Sequence, residues 1–65
     1  MYGKRIKELR TEKGLTQKQL AEQLNTTQIN ISRLELEIID LGSTMAVKIC
    51  KYFNVSADYL LGLEE

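Results

Sequence analysis

Residues 26–33, "TTQINISR", hold the side chains with the most capacity for specific chemistry: Thr27, Gln28, Asn30 and Arg33. With Gln17 they offer hydroxyl, amide and guanidinium groups. These donate and accept hydrogen bonds in fixed patterns but do not trade protons near neutral pH. That is the chemistry of recognition, and the rest of the chain agrees. There is no histidine, the commonest general base and metal ligand. No nucleophile–base set, metal cluster or phosphate-cradling loop can be assembled. An enzyme is not expected, and neither is a metal, a cofactor or a small-molecule substrate.

Elements that could position these groups must come from 65 residues. A single domain of this size buries only about 60% of its extended-chain surface, so nearly every helix must donate an apolar face. Cys50 is the only cysteine, which rules out an internal disulfide and fits a reducing, cytoplasmic compartment. No stretch approaches the length of a membrane span, and the N-terminus lacks a signal-peptide core. A soluble, intracellular chain is expected. The net charge of zero conceals an uneven distribution. Residues 1–18 carry six cations against two carboxylates, and residues 19–65 carry three against seven. Either these are ordinary solvated helix faces or the domain is dipolar, with a basic end that meets an anion.

Caps and periodicity divide the chain into five short helices. In "KRIKELRTEKG" Ile6 and Leu9 point inward and Gly14 is a left-handed stop. In "LTQKQLAEQLN" Thr16 and Gln19 form a capping box, Leu15 and Leu20 a hydrophobic staple, and Asn25 the end. Leu20, Ala21 and Leu24 share its apolar face. Thr27 caps the next helix, which turns Ile31 and Leu34 inward and leaves Thr27, Gln28, Asn30 and Arg33 outside. Two short helices joined by so short a turn make a helix-turn-helix unit, at about residues 17–35. Ala46, Ile49, Cys50 and Phe53 mark a fourth helix, closed by Asn54. "VSADYLLG" is the fifth, with Ser56 as cap, Val55 and Leu60 as staple and Gly62 as terminator.

The run "LTQKQLAEQLNTTQ…ISRLE" followed by "KYFNVSADYLLG" resembles the Cro/C1-type (XRE-like) helix-turn-helix domains of lambdoid phage repressors and their bacterial relatives. Gln17, Ala21, Thr27, Gln28, Ile31 and Glu35 stand together at family positions. The resemblance implies an all-α, lambda-repressor-like domain spanning residues 1–65, with the third helix, about 28–35, lying in the DNA major groove. It implies phosphate contacts from Gln17 and Thr27 beside free backbone N–H groups. Gln28 carries an amide that matches adenine, and Ile29 can pack on a thymine methyl. Asn30 is assigned to the groove or the backbone, and Arg33 to a phosphate. In isolation Gln17 and Gln28 are ordinary helix-terminus residues; the surrounding pattern favours recognition. In the family the pair matching Arg10 and Glu35 is a structural salt bridge, so both are assigned to structure. Cys50 stands where a small core residue is usual and is read as core; Tyr52 and Tyr59 are read as packing residues.

Residues 36–41 depart from the family, which places a polar, often basic, turn there. Here the chain reads Leu36, Glu37, Ile38, Ile39, Asp40, Leu41. Three conformations fit: a helix continued toward Gly42, a short strand, or the family's loop. In every case one small core cannot hide Leu36, Ile38, Ile39, Leu41 and Met45 together. A homodimer interface made by Leu36, Ile38, Ile39, Leu41 and Tyr59 is expected. The leading reading is a repressor-type regulator that binds a palindromic operator as a homodimer, with half-sites roughly 34 Å apart. The rival is a protein–protein interaction or oligomerisation module of the same fold.

Overall fold

A computed structural model of the chain describes residues 1–63. It contains five helices among those residues: α1 (Tyr2–Glu12), α2 (Gln17–Gln23), α3 (Gln28–Glu35), α4 (Ser43–Phe53) and α5 (Ala57–Leu60). The expected caps are made. Thr16 Oγ1 accepts from the Gln19 N–H at 3.0 Å, and Gln19 Oε1 accepts from the Thr16 N–H at 2.9 Å. Thr27 and Ser56 accept from the Asn30 and Tyr59 N–H groups. The apolar faces then close one core of Ile6, Leu20, Ala21, Leu24, Ile31, Leu34, Ile49 and Leu60, to which every helix or its cap contributes. Leu9, Leu15, Phe53 and the free Cys50 pack around it.

All five helices end in the same way. After each, the N–H of the residue that follows the left-handed one returns to a carbonyl of the last turn: Leu15 to Arg10, Thr26 to Ala21, Ile38 to Arg33, Val55 to Cys50 and Leu63 to Asp58. This termination needs one residue at positive φ. Gly14, Asn25, Asn54 and Gly62 supply it in four helices, and Glu37 supplies it after α3, at φ 57°. A glutamate pays about 1–2 kcal/mol in that conformation.

Contacts with α1 explain why Glu37 is held there. α1 begins at Tyr2, two residues earlier than the sequence reading placed it, and its N-terminus has no side-chain cap of its own. The Glu37 carboxylate accepts from the Gly3 N–H at 3.3 Å, which places a negative charge against that uncapped helix end. Tyr2 Oη donates to the Ile39 carbonyl at 2.7 Å. Burial raises the pKa of the Tyr2 hydroxyl, and the Glu37 and Asp40 carboxylates raise it further. The approach is close enough that a Cβ on Gly3 would fall onto the Glu35 carbonyl oxygen and within 2.9 Å of that of Leu34.

Residues 36–42 are therefore a loop pinned to α1. Neither the helix continued toward Gly42 nor the strand is present, because the left-handed Glu37 ends α3 before either can form. The expectation that all four aliphatics of this segment face outward is corrected in part. Leu36 and Ile38 are 68% and 67% exposed, but Ile39 and Leu41, with Met45, pack against the core.

Gly3→Ala sets two effects against each other. Alanine favours a helix over glycine by roughly 1 kcal/mol, but overpacking costs about 1–3 kcal/mol, and two of the three atoms it meets here are backbone oxygens that cannot swing away. A thermal melt should show Gly3→Ala destabilised. Gly42→Ser, where an added Cβ has open space and a serine can cap α4, should gain a few tenths of a kcal/mol. A stabilised Gly3→Ala would mean that α1 does not approach the end of α3 so closely.

Candidate nucleic-acid interface

The outer face of α3 is built from its own periodicity. Ile31 and Leu34 are buried, which leaves Gln28, Ile29 and Arg33 exposed and Ser32 half-exposed on the opposite side. With Gln17 from the start of α2 these residues line an open hollow of about 360 Å³. The mixture is specific in character: two amides, a hydroxyl, a guanidinium and one aliphatic side chain that is 62% exposed. Such a set can hydrogen-bond to planar edges and phosphate oxygens while covering a methyl group.

The α2–α3 angle beneath this surface is fixed by one carboxylate. Glu35, at the last position of α3, accepts from Arg10 Nε at 2.6 Å and from a second guanidinium nitrogen at 3.2 Å. The third guanidinium nitrogen donates to the Leu15 carbonyl at 2.8 Å, and Gln17 Nε2 donates to Glu35 at 3.1 Å. The two charged side chains are only 11% and 4% exposed. This network joins α1, the α1–α2 connection, α2 and α3.

The other residues named from sequence are distributed as follows. The Gln17 amide nitrogen is committed to Glu35, so its role is at least partly internal. The Asn30 side chain donates to Thr26 Oγ1 at 3.0 Å and closes the α2–α3 turn from within; it is half-buried and does not line the hollow. Thr27 is exposed, with its oxygen occupied by capping and its hydroxyl proton left to donate. Gln28 is exposed. Tyr59 is half-buried beneath the Arg5 guanidinium, 4.4 Å from the ring centroid, on the α1–α5 side. Ser32 was missed. The available signal was its position four residues after Gln28 and three after Ile29, which puts all three on one helix face.

The comparisons agree with this geometry. Residues 3–65 match the family described as a helix-turn-helix domain. The chain is 44% identical over 63 residues to the HTH-type transcriptional regulator ImmR of Bacillus subtilis (strain 168), a match that covers 97% of this chain and 50% of that protein. The chain thus spans half the length of this curated relative. In three dimensions it superposes on the P22 c2 repressor protein, solved in complex with a synthetic operator. The TM-score is 0.85 at 23% identity, over 92% of this chain and 91% of that one, a likeness that bears on the fold.

A double-mutant cycle reads the network directly. Glu35→Ala should strand Arg10 and cost about 3–5 kcal/mol, a large share of a small domain's stability. Arg10→Met combined with Glu35→Leu should cost much less than the two single changes together. Additive effects in thermal melts would show that the pair is not coupled. With α2, a short turn and α3 in this arrangement, and with residues 3–65 matched, the chain belongs to the Cro/C1-type helix-turn-helix domain family.

Proposed function

We propose that this domain is the DNA-reading head of a repressor-type transcription regulator, with α3 seated in the major groove of duplex DNA. The observation that carries this reading is the exposed Gln28–Ile29–Ser32–Arg33 face, held over a buried core by the Glu35 network. Gln28 reads adenine through its paired donor and acceptor, Ile29 covers a thymine methyl, and Ser32 reaches the neighbouring base edge. Arg33, Thr27 and the remaining capacity of Gln17 meet phosphates and set the register. Asn30 shapes the turn rather than reading a base. No metal, cofactor or catalytic step enters this function. Among the described residues no helix is long and apolar enough to cross a membrane. As a DNA reader, the protein is assigned to the cytoplasm with the DNA it reads.

Two copies acting on a palindrome complete the reading. Leu36 and Ile38 project from the pinned loop as the aliphatics available for a two-fold contact. Ile39 and Leu41 support them from behind, and Tyr59 belongs to the rim. An isologous contact uses each side chain twice, and each Å² of apolar surface removed from water contributes about 25 cal/mol. One observation favours the rival, a protein-interaction module of the same fold: Glu37 and Asp40 stand where the family's loop lies against phosphates. Each lost phosphate contact weakens binding and lowers the salt slope by about one unit.

Fluorescence polarisation on palindrome-enriched and random duplexes at two salt concentrations decides between the two. Gln28→Ala should lose about 1–3 kcal/mol on the preferred site and relax preference at one base pair. An equal loss on both duplexes removes the base-contact role, and no binding by the wild type at low salt favours the interaction module. For the dimer, sedimentation of wild type and of Leu36→Gln with Ile38→Asp at micromolar concentration is the measurement. The wild type should sediment as a dimer and the double variant as a folded monomer; a monomeric wild type excludes this surface.

A further inference from the structure

A second open hollow, of about 410 Å³, lies at the C-terminal end of α2 and shares no residue with the recognition face. It is lined by Gln23, Leu24, Asn25, Lys48, Lys51 and Tyr52. Two lysines at its edge are held by the structure rather than left to sample solvent. Lys48 Nζ donates to the Leu24 carbonyl at 3.2 Å, at the C-terminus of α2. Lys13 Nζ sits 4.4 Å from the Tyr52 ring centroid and 5.9 Å from that of Phe53. An ammonium group has three N–H donors, so both retain capacity for a ligand. Arg10–Glu35 is the only ion pair among the described residues. Glu12 and Glu22 stand close by in sequence but pair with none of the three lysines. The result is a concentration of positive charge drawn from the C-cap of α1 and from α4, around an apolar floor of Leu24 and the half-buried Tyr52 ring.

We propose that this groove docks an acidic peptide segment of a protein partner. The partner's carboxylates meet Lys13, Lys48 and Lys51, the Gln23 and Asn25 amides bond its backbone, and one apolar side chain covers Tyr52 and the edge of Leu24. The apolar floor favours a peptide over a nucleic-acid backbone, which offers phosphates at this depth but no aliphatic group to fill it. Placement at the far end of α2 from Gln17 leaves the recognition face free, so the surface does not depend on the DNA-reading proposal. It fits a contact made while α3 is occupied. Complementary charge of this kind sets partner choice and on-rate and is screened by salt.

The test is an amide-resolved NMR titration of the intact domain with a short synthetic peptide of Asp, Glu and Leu, alongside its Asn/Gln/Leu counterpart. Shifts should concentrate at residues 23–25 and 48–52, fade as salt rises, and be absent with the uncharged peptide. Lys51→Glu should weaken binding about tenfold or more, because a like charge then faces the ligand, with the helical circular dichroism unchanged. Lys51→Gln serves if charge reversal disturbs folding. Any of three results overturns the proposal: shifts centred on Gln28, Ile29 and Arg33, equal binding of the uncharged peptide, or unchanged affinity in both Lys51 variants. A matching loss of random-duplex affinity in Lys51→Glu would instead assign the groove to phosphate contact.

Discussion

The Glu35 carboxylate is the point through which the recognition architecture is held. It terminates α3, takes two hydrogen bonds from Arg10 and one from Gln17, and through Arg10 reaches the Leu15 carbonyl where the chain turns into α2. A core of so few side chains fixes which faces touch but leaves helices some freedom to rotate and slide. Directional bonds from one nearly buried group remove that freedom where it matters, because a tilt of α3 against α2 would displace every side chain on its outer face. The same burial makes the arrangement all-or-nothing: a paired buried charge is tolerated, and a stranded one is not.

A second constraint sits two residues further along. Four helix ends are closed by residues that accept positive φ easily, and the fifth is closed by Glu37, which does not. Its carboxylate caps α1, and Gly3 has no Cβ to obstruct the approach. Strain at one helix end therefore accompanies stabilisation at another. The loop beyond it is consequently fixed in direction, with Ile39 and Leu41 turned in and Leu36 and Ile38 turned out. On the proposed reading, the acidic residues that look misplaced beside a DNA reader serve this attachment and keep an apolar loop soluble.

Local rules carried most of the fold in advance. The Thr16–Gln19 box, the Thr27 and Ser56 caps, and the Gly14, Asn25, Asn54 and Gly62 terminators each act within a few residues, so the sequence shows them directly. Arg10–Glu35 joins distant residues and was accessible only through the family resemblance. What stayed hidden depended on tertiary proximity. Gln17 bonding to Glu35, Asn30 turning to Thr26, and Gly3 lying against the α3 terminus have no periodic signature. The 36–41 segment was ambiguous for a related reason. Its alternation suits a strand and its stripe suits a helix, and the choice fell to Glu37, whose left-handed conformation is not a local preference of glutamate.

Folding redistributes part of the charge division between the two halves of the sequence. Arg10 of the basic half is consumed by Glu35, the α1 N-terminus is covered by Glu37, and Lys13 joins Lys48 and Lys51 of the acidic half at the far end of α2. Among the residues lining the hollow on the outer face of α3, Arg33 is the only cation. For a DNA reader this has a definite physical meaning. Non-specific affinity is almost wholly electrostatic, so a head with few phosphate contacts holds random sequence weakly and releases it readily as salt rises. On the proposed reading, base contacts from Gln28, Ile29 and Ser32 then make up a larger share of what binding remains. Joining two such heads restores overall affinity, because the second head binds at the high effective concentration set by the first. On the proposed reading, the exposed Leu36 and Ile38 of the loop after α3 supply that pairing, so that affinity would come from the dimer and discrimination from the helix.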